Sequence, residues 1–477
     1  MRNAIARSGI GLAAAVSVSI HVFAQVPATD TEQRPEQRLL RGIYRELVEI
    51  NTTDSAGDCT AAANAMGTRL AAGGIPAADV QIIVPPGAPK KGNLVARLRG
   101  SGAKKPLLLL AHLDVVEAKR EDWARDPFKL IEENGYFYAR GASDDKAMAA
   151  VFVANLIRYR QEGYRPARDL IVALTCDEEI IPSKWNGVEY LLRHHRPLID
   201  AEFALNEGGS GVIDRNGKYV RMNIQLGEKV FQTYHLEVTN RGGHSALPVK
   251  DNAITHLAEG LARLGSFDFP FTLSATTRAY FERMSRIETG QIAADMRAIL
   301  RTPPDPAALE RLSANPSYNA TVRTTCVATM VDAGHAPNAL PQRARAVVNC
   351  RILPGEAVAQ VHQTLAAIMA NDRIRVIAAG EPILSPPPPL SAEILGPVES
   401  VAAGLWPGVP VVPAMVSGAT DGRFLNNAGI ATYGMSGMFR DADGGGVHGL
   451  NERLPVRSLY EGQAFLYRVV RLYAGGQ

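Results

Sequence analysis

Three consecutive acids, Asp177, Glu178 and Glu179, follow the hydrophobic run "DLIVAL". Adjacent carboxylates repel one another, which raises their pKa, so a basic cluster or a metal is expected beside them. Other apolar runs end in comparable residues. "PLLLLAHLDVV" delivers His112 and Asp114, and "AEFALNEGG" delivers Glu207. Asp144 opens "DDKAMAAVFVANLIRYRQEG", and His448 follows three glycines in "GGGVHGL". Imidazole and carboxylate together suit zinc, with cobalt or manganese as substitutes. Five ligands (His112, Asp144, Glu179, Glu207 and His448) exceed the needs of one four-coordinate catalytic zinc. They suit two divalent metal ions sharing a bridging carboxylate, which can bind both the nucleophile and the substrate oxygen in hydrolysis. Each residue also has an ordinary reading. A histidine after a buried strand can be a hydrogen-bonded structural group, Asp144 an N-cap, "DEE" a solvated turn and "GGGVHGL" a flexible loop. The shared order and strand context favour the joint reading.

The elements that must position these residues are legible as hydrophobic patterns. "GNLVARLRG" and the three acid- or histidine-tipped runs read as strands, and a helix is expected from near Asp144. "QRLLRGIYRELVEI" and "CTAAANAMGTRLAAGGI" read as helices, the second closed by Gly73 and Gly74. Apolar strands alternating with helices imply an α/β fold with a mixed, largely parallel sheet flanked by helices. In such sheets ligands bind beyond the carboxyl ends of the strands. From about residue 229 the texture changes to alternating strands ("KVFQTYHLEVTNRGG", "TVRTTCVATMVDAG", "ARAVVNCRILPG") and helical stretches near 252–265, 277–300 and 356–370. This predicts an inserted α+β domain over 229–380, with the main domain formed by 38–228 and 381–477. The Pro-rich "EPILSPPPPL" reads as the connector between them.

The chain has 477 residues, 46% hydrophobic and 21% charged, which fits two or three globular domains. Lys plus Arg number 51 and Asp plus Glu 48, a net charge of +3 that gives no reason to expect nucleic acid. Basic "MRNAIAR" followed by apolar "GIGLAAAVSVSI" reads as a signal peptide cut after Ala24, over residues 1–24. A single membrane anchor is the alternative, for which the apolar core is short. A secreted, periplasmic protein with no membrane span after cleavage is expected. Residues 26–38 read as a polar tail. Of the cysteines, Cys176 reads as a packing residue, and Cys326 with Cys350 forms a possible disulfide.

The motifs resemble those of the di-zinc exopeptidases and amidohydrolases that include aminoacylase-1, the Gly-X carboxypeptidases, bacterial glutamate carboxypeptidase and succinyl-diaminopimelate desuccinylase. "AHLDVV", "DPFKLIEENGYFYARGASDDKA", "DEE", "LNEGG", "RGGHSALP", "PNALPQRARAVVNCRILPG", "SGATDGRF" and "VHGLNE" follow in the expected order. The resemblance implies that His112 and Glu207 bind one metal, Glu179 and His448 the other, and that Asp144 bridges them. It makes Asp114 the acid that orients His112, and Glu178 the general base. Asp177 is left without a role beyond supporting the turn. The inserted domain becomes a lid and homodimerisation domain, with His244 reaching a partner subunit's site. Asn338, Arg351 and Gly418 fall at substrate-binding positions, Arg351 through a carboxylate. Ala139, Ala147 and Asn206 depart from the family pattern, which usually has Gly, Gly and Asp there.

The resulting expectation is metal-dependent hydrolysis of an amide bond adjacent to a free carboxylate, by a dipeptidase or carboxypeptidase. The alternative is an N-acyl-amino-acid hydrolase, whose chemistry is identical. A binding protein that kept only the metal would have no use for Glu178, and no phosphate-gripping loop accompanies the motifs to suggest phosphoester hydrolysis.

Overall fold

The computed structural model describes residues 33–476. The expected signal peptide lies outside them. Two sheets dominate. The larger has ten strands, nine of them in a path running Val80–Ile83, Asn93–Leu98, Leu170–Thr175, Leu107–His112, Phe203–Asn206, Ala431–Gly434, Tyr219–Glu228, Gly211–Ile213 and Phe439–Asp441, with Val411–Val416 also paired to Tyr219–Glu228. Its centre is parallel: Leu107–His112 pairs in parallel with both Leu170–Thr175 and Phe203–Asn206, and Ala431–Gly434 continues in parallel beyond. Antiparallel pairing enters where Asn93–Leu98 joins, so the sheet is mixed.

The central strands are buried on both faces, and their residues alternate between two cores. Leu107, Leu109 and Ala111 join Leu170, Val172 and Leu174 in one core, packed on helices Pro35–Glu49, Cys59–Ala72, Lys146–Gln161 and Val456–Ala474. Leu108, Leu110, Ile171 and Ala173 face the other way, onto Val188 and Leu191 of Gly187–His194 and Leu425 of Gly422–Asn427. Helix Lys146–Gln161 is enclosed almost all round, which explains the weak amphipathic pattern of its alanine- and valine-rich sequence. With both faces covered, polar groups on these strands can emerge only at the ends. His112 lies opposite Thr175 in the ladder, so the parallel strands finish side by side.

The second sheet is antiparallel, in the order Thr325–Ala333, Arg343–Ile352, Val230–Thr239 and Arg375–Ala379. Helices Ala253–Gly265 and Val358–Met369 pack on one face of it, around Tyr234, Leu236, Val238 and Val348. Residues 229–380 do not all pack there. Helices Ala275–Ile287, Gly290–Ile299, Pro306–Ser313 and Pro316–Val322 form their own cluster with Val412 of the larger sheet.

Three expectations are corrected. The stretch 277–300 is two helices, Ala275–Ile287 and Gly290–Ile299, divided at Glu288 and Thr289, whose backbones are extended. The polar tail does not run to residue 38, because helix Pro35–Glu49 begins earlier and buries Leu40, Ile43 and Tyr44. Cys176 is not simply a packing residue: it is disulfide-bonded to Cys59, 117 residues away, at the start of helix Cys59–Ala72. Cys326 and Cys350, opposite one another on neighbouring strands, form the second disulfide. Among the described residues no helix is long and apolar enough to cross a membrane.

Candidate metal centre

At the carboxyl end of the central strands the structure gathers two sets of ligand atoms. One consists of His112, Asp144 and Glu207, the other of Asp144, Glu179 and His448, with each set's atoms within 4.8 Å of one another. Asp144 belongs to both through different oxygens. Its Oδ1 lies 3.2 Å from His112 Nε2, and its Oδ2 lies 3.2 Å from His448 Nε2. Glu207 Oε2 is 3.8 Å from His112 Nε2, and Glu179 Oε1 is 3.0 Å from His448 Nε2. His112 is buried at the end of its strand, whereas His448 sits on a half-open loop at φ 58°.

The ring of His112 is fixed from behind. Its Nδ1 is 2.9 Å from the carbonyl oxygen of Asp114 and 3.6 Å from that residue's Oδ1. Asp114 Oδ2 accepts a hydrogen bond from the Glu179 backbone N–H at 2.9 Å. One buried acid thus ties His112 to the loop of the three acids. That loop is held at other points too. Asp177, at φ 65°, accepts from Lys91 Nζ at 2.6 Å and from Ser183 Oγ at 2.7 Å. Asn186, the N-cap of Gly187–His194, donates to the Asp177 carbonyl and to Asp421. The three acids therefore divide: Asp177 has a lysine partner and anchors the turn, while Glu178 and Glu179 face His112.

The charges are strongly interdependent. Burial pushes the His112 imidazole toward neutrality, but hydrogen bonds with Asp114 and Asp144 outweigh it and hold its pKa well above the usual value. His448 is raised to about 10 by Asp144 and Glu179. Burial raises Asp144 as well, but the two histidines bring it well below the ordinary carboxylate range. Glu178 and Glu207 go the other way. Burial raises both, Asp421 and Glu179 add to the rise at Glu178, and Glu178 adds to it at Glu207. Among the described residues, Asp144, Glu178, Glu179 and Glu207 form no ion pair with Lys or Arg. Borderline nitrogen and hard oxygen donors, an acid offering one oxygen to each set, and carboxylates without a Lys or Arg partner together fit a pair of divalent cations. Two further groupings occur, His112 with Glu178 and Glu179, and Cys59 with Asp114 and Cys176; the second is not a metal set, because its sulfurs are joined to each other.

The four other expected site residues stand apart from this cluster. His244 and Asn338 are brought together on a short ribbon, Gly243–His244 with Ala339–Leu340, where Ser245 N–H donates to the Asn338 carbonyl. His244 is exposed and its Nδ1 accepts from Ala246 N–H at 3.0 Å. Arg351 lies on the second sheet opposite Phe231, with its guanidinium 4.8 Å from that ring. Gly418 follows Val411–Val416, and a Cβ there would meet no atom within 4 Å. Asn206, where the related motifs carry Asp, donates to Thr420 Oγ1 at 3.1 Å.

Sequence reasoning missed the supports. Lys91 is one. Glu452 and Arg140 are others, paired at 2.8 Å beneath the loop that carries Asp144. Glu452 closes the motif "VHGLNE", and that was the available signal for it.

The model of "Peptidase family M20/M25/M40" matches residues 108–472. The chain belongs to this family. It is a hydrolytic enzyme acting on amide bonds, and all the residues of both ligand sets lie within the matched span. It is 30% identical over 381 residues to the mouse N-fatty-acyl-amino acid synthase/hydrolase PM20D1, covering 77% of this chain and 74% of that one. In fold it matches the metallo-carboxypeptidase Sso-CP2 from Sulfolobus solfataricus, with TM-score 0.67 and 18% identity over 93% of this chain and 100% of that one. It also matches the Bacillus subtilis YXEP protein, described as a dinuclear metal binding peptidase, with TM-score 0.59 and 13% identity over 92% and 99% of the two chains.

Proposed function

We propose that this enzyme hydrolyses an amide bond next to a free carboxylate, as a dipeptidase or carboxypeptidase, with two divalent metal ions. The observation that carries the reading is the sharing of Asp144 between two histidine-containing ligand sets. His112, Asp144 and Glu207 would hold one ion, and Asp144, Glu179 and His448 the other. Zinc is the first choice for such donors, with cobalt or manganese as substitutes. Bound there, such a pair would polarise a carbonyl and acidify water. Glu178 takes a proton from the attacking water and passes it to the leaving nitrogen. Its burial and acidic neighbours raise its proton affinity, which suits a group that must accept a proton and release it. Asp114 keeps His112 in one ring orientation. Arg351 receives the substrate carboxylate through its planar fork. Asn338 and the backbone at Gly418 complete the substrate contacts.

The inserted segment acts as lid and dimerisation surface. Strand Thr325–Ala333 is the outer strand of its sheet, and Val327, Met330 and Val331 are exposed on it. An open apolar edge of this kind is a template for pairing, and we assign it to a homodimer in which His244 reaches the partner's site. Two disulfides support an oxidising compartment, in keeping with secretion to the periplasm.

A second reading, hydrolysis of N-acyl amino acids, has its own support. The PM20D1 relative is named for N-fatty-acyl amino acids. Ile181 and Leu450, large, apolar and exposed, stand two residues beyond Glu179 and His448. Incubating the zinc-loaded protein with dipeptides and with N-acyl amino acids of graded chain length ranks the two. Matched C-terminal amides test the carboxylate requirement. Cleavage confined to free carboxylates is expected. Equal cleavage of the amides would remove the proposed role of Arg351.

A further inference from the structure

Asp144 lies in a segment, residues 140–144, that has neither helix nor strand. Its backbone N–H groups therefore need partners from elsewhere. Glu452 provides them. Its side chain is fully buried, and its two oxygens divide the work. Oε1 accepts from the N–H of Ser143 at 2.7 Å and of Asp144 at 3.0 Å. Oε2 accepts from the N–H of Gly141 at 3.0 Å and from Arg140 Nη1 at 2.8 Å. Arg140, equally buried, uses its other nitrogen to donate to the Gly449 carbonyl at 2.7 Å. Gly449 is the residue after His448.

The same buried pair thus touches both loops that the second ligand set requires. Glu452 holds the backbone of Asp144 directly, and Arg140 holds the backbone beside His448. The main chain of Glu452 is fixed too. Its carbonyl accepts from Ala139 N–H, and it leads into Arg453–Pro455, which pairs with Tyr136–Tyr138. None of these atoms belongs to the ligand sets.

We propose that Glu452, acting with Arg140, is a positioning residue that sets Asp144 and His448 at the spacing a metal pair requires. This rests on the metal reading given above. Groups behind metal ligands commonly change affinity by about 10–100-fold when altered.

Glu452→Gln is the direct test, because it keeps the shape and replaces one acceptor oxygen by a donor. Either orientation of the amide then turns N–H toward N–H. One way it meets Ser143 and Asp144, the other way Gly141 and Arg140. The metal-free protein, wild type and variant, is titrated with zinc against a chromophoric chelator, and the visible spectrum of the cobalt-loaded form is recorded. Urea unfolding of the metal-free forms runs alongside. The expected result is zinc affinity weaker by about 10–100-fold in the variant, with an altered cobalt spectrum. A merely structural role would lower the unfolding midpoint and leave the affinity and spectrum of the folded protein as in wild type, and that result overturns the inference. If Glu452→Gln does not fold, Arg140→Lys is read in the same way. A lysine keeps the charge but cannot span Glu452 and Gly449 with a fork, so weaker zinc binding supports the inference and unchanged binding overturns it. A wild-type protein that binds neither zinc nor cobalt overturns the metal reading itself, and this inference with it.

Discussion

Removing the Cys59–Cys176 disulfide should cost this protein more than removing Cys326–Cys350. The first bridge closes a sequence separation of 117 residues and the second one of 24. On the chain-entropy model, loops of those lengths restrict the unfolded chain by about 5 and about 3.5 kcal/mol respectively. Context widens the gap. Cys326 and Cys350 already face each other across paired strands, so the folded sheet keeps them together without the bond. Cys59 and Cys176 sit on different elements, a helix start and the strand end that leads to Asp177. Measured losses often fall below the entropic figure, so about 3–5 kcal/mol is expected for Cys59→Ala with Cys176→Ala, and less for the other pair. Both double variants are compared with oxidised wild type by urea unfolding of the metal-free protein, followed by tryptophan fluorescence. A loss under about 1 kcal/mol for the longer loop, or a greater loss for the shorter one, would refute the reasoning. So would alkylation of Cys59 and Cys176 in the folded protein without reductant.

Glu178→Gln should keep its metal while kcat falls by about 10²–10⁴, the usual scale of acid–base assistance. Glu179→Gln should instead lose metal, and the opposite pattern, read by metal analysis and kinetics, would mean that the two roles are exchanged. Metal binding should release protons. In the metal-free chain neighbouring acids raise the proton affinity of both His112 and His448, His448 to about 10, and ligation needs neutral imidazole. Calorimetry at pH 7.5 in buffers of different ionisation enthalpy should therefore show net proton release, with affinity weakening as pH falls; binding that is independent of the buffer would contradict this. Mixing His244→Ala with Glu178→Ala subunits should restore activity through the one hybrid site with both residues intact. Verified heterodimers without activity would place His244 in its own subunit's site or outside catalysis.

The sequence made the strand ends readable because burial on both faces forces polar residues there, and His112, Glu179 and Glu207 emerge where the apolar runs stop. The division of labour among the three acids was less accessible. Glu178 and Glu179 took their roles from motif order, but Asp177 depends on Lys91, which no local pattern links to it. The partners of buried groups were hidden for the same reason. Cys59 and Cys176, or Arg140 and Glu452, meet only after the sheet has formed. The strand Thr325–Ala333 alternates in sequence as a half-buried strand would, yet it is exposed along most of its length because it is the outer strand. Periodicity reports which residues share a face, not whether anything covers that face. The helix break before Gly290 escaped because apolar spacing continues on both sides of it.

Protein purified without chelator should carry close to two divalent ions per chain, one for each ligand set that shares Asp144. Exhaustive chelation should abolish hydrolysis of the cleaved dipeptide or N-acyl amino acid, readdition of zinc should restore it, and His448→Ala should lower content and rate together. Undiminished hydrolysis by a rigorously metal-free preparation would contradict the account.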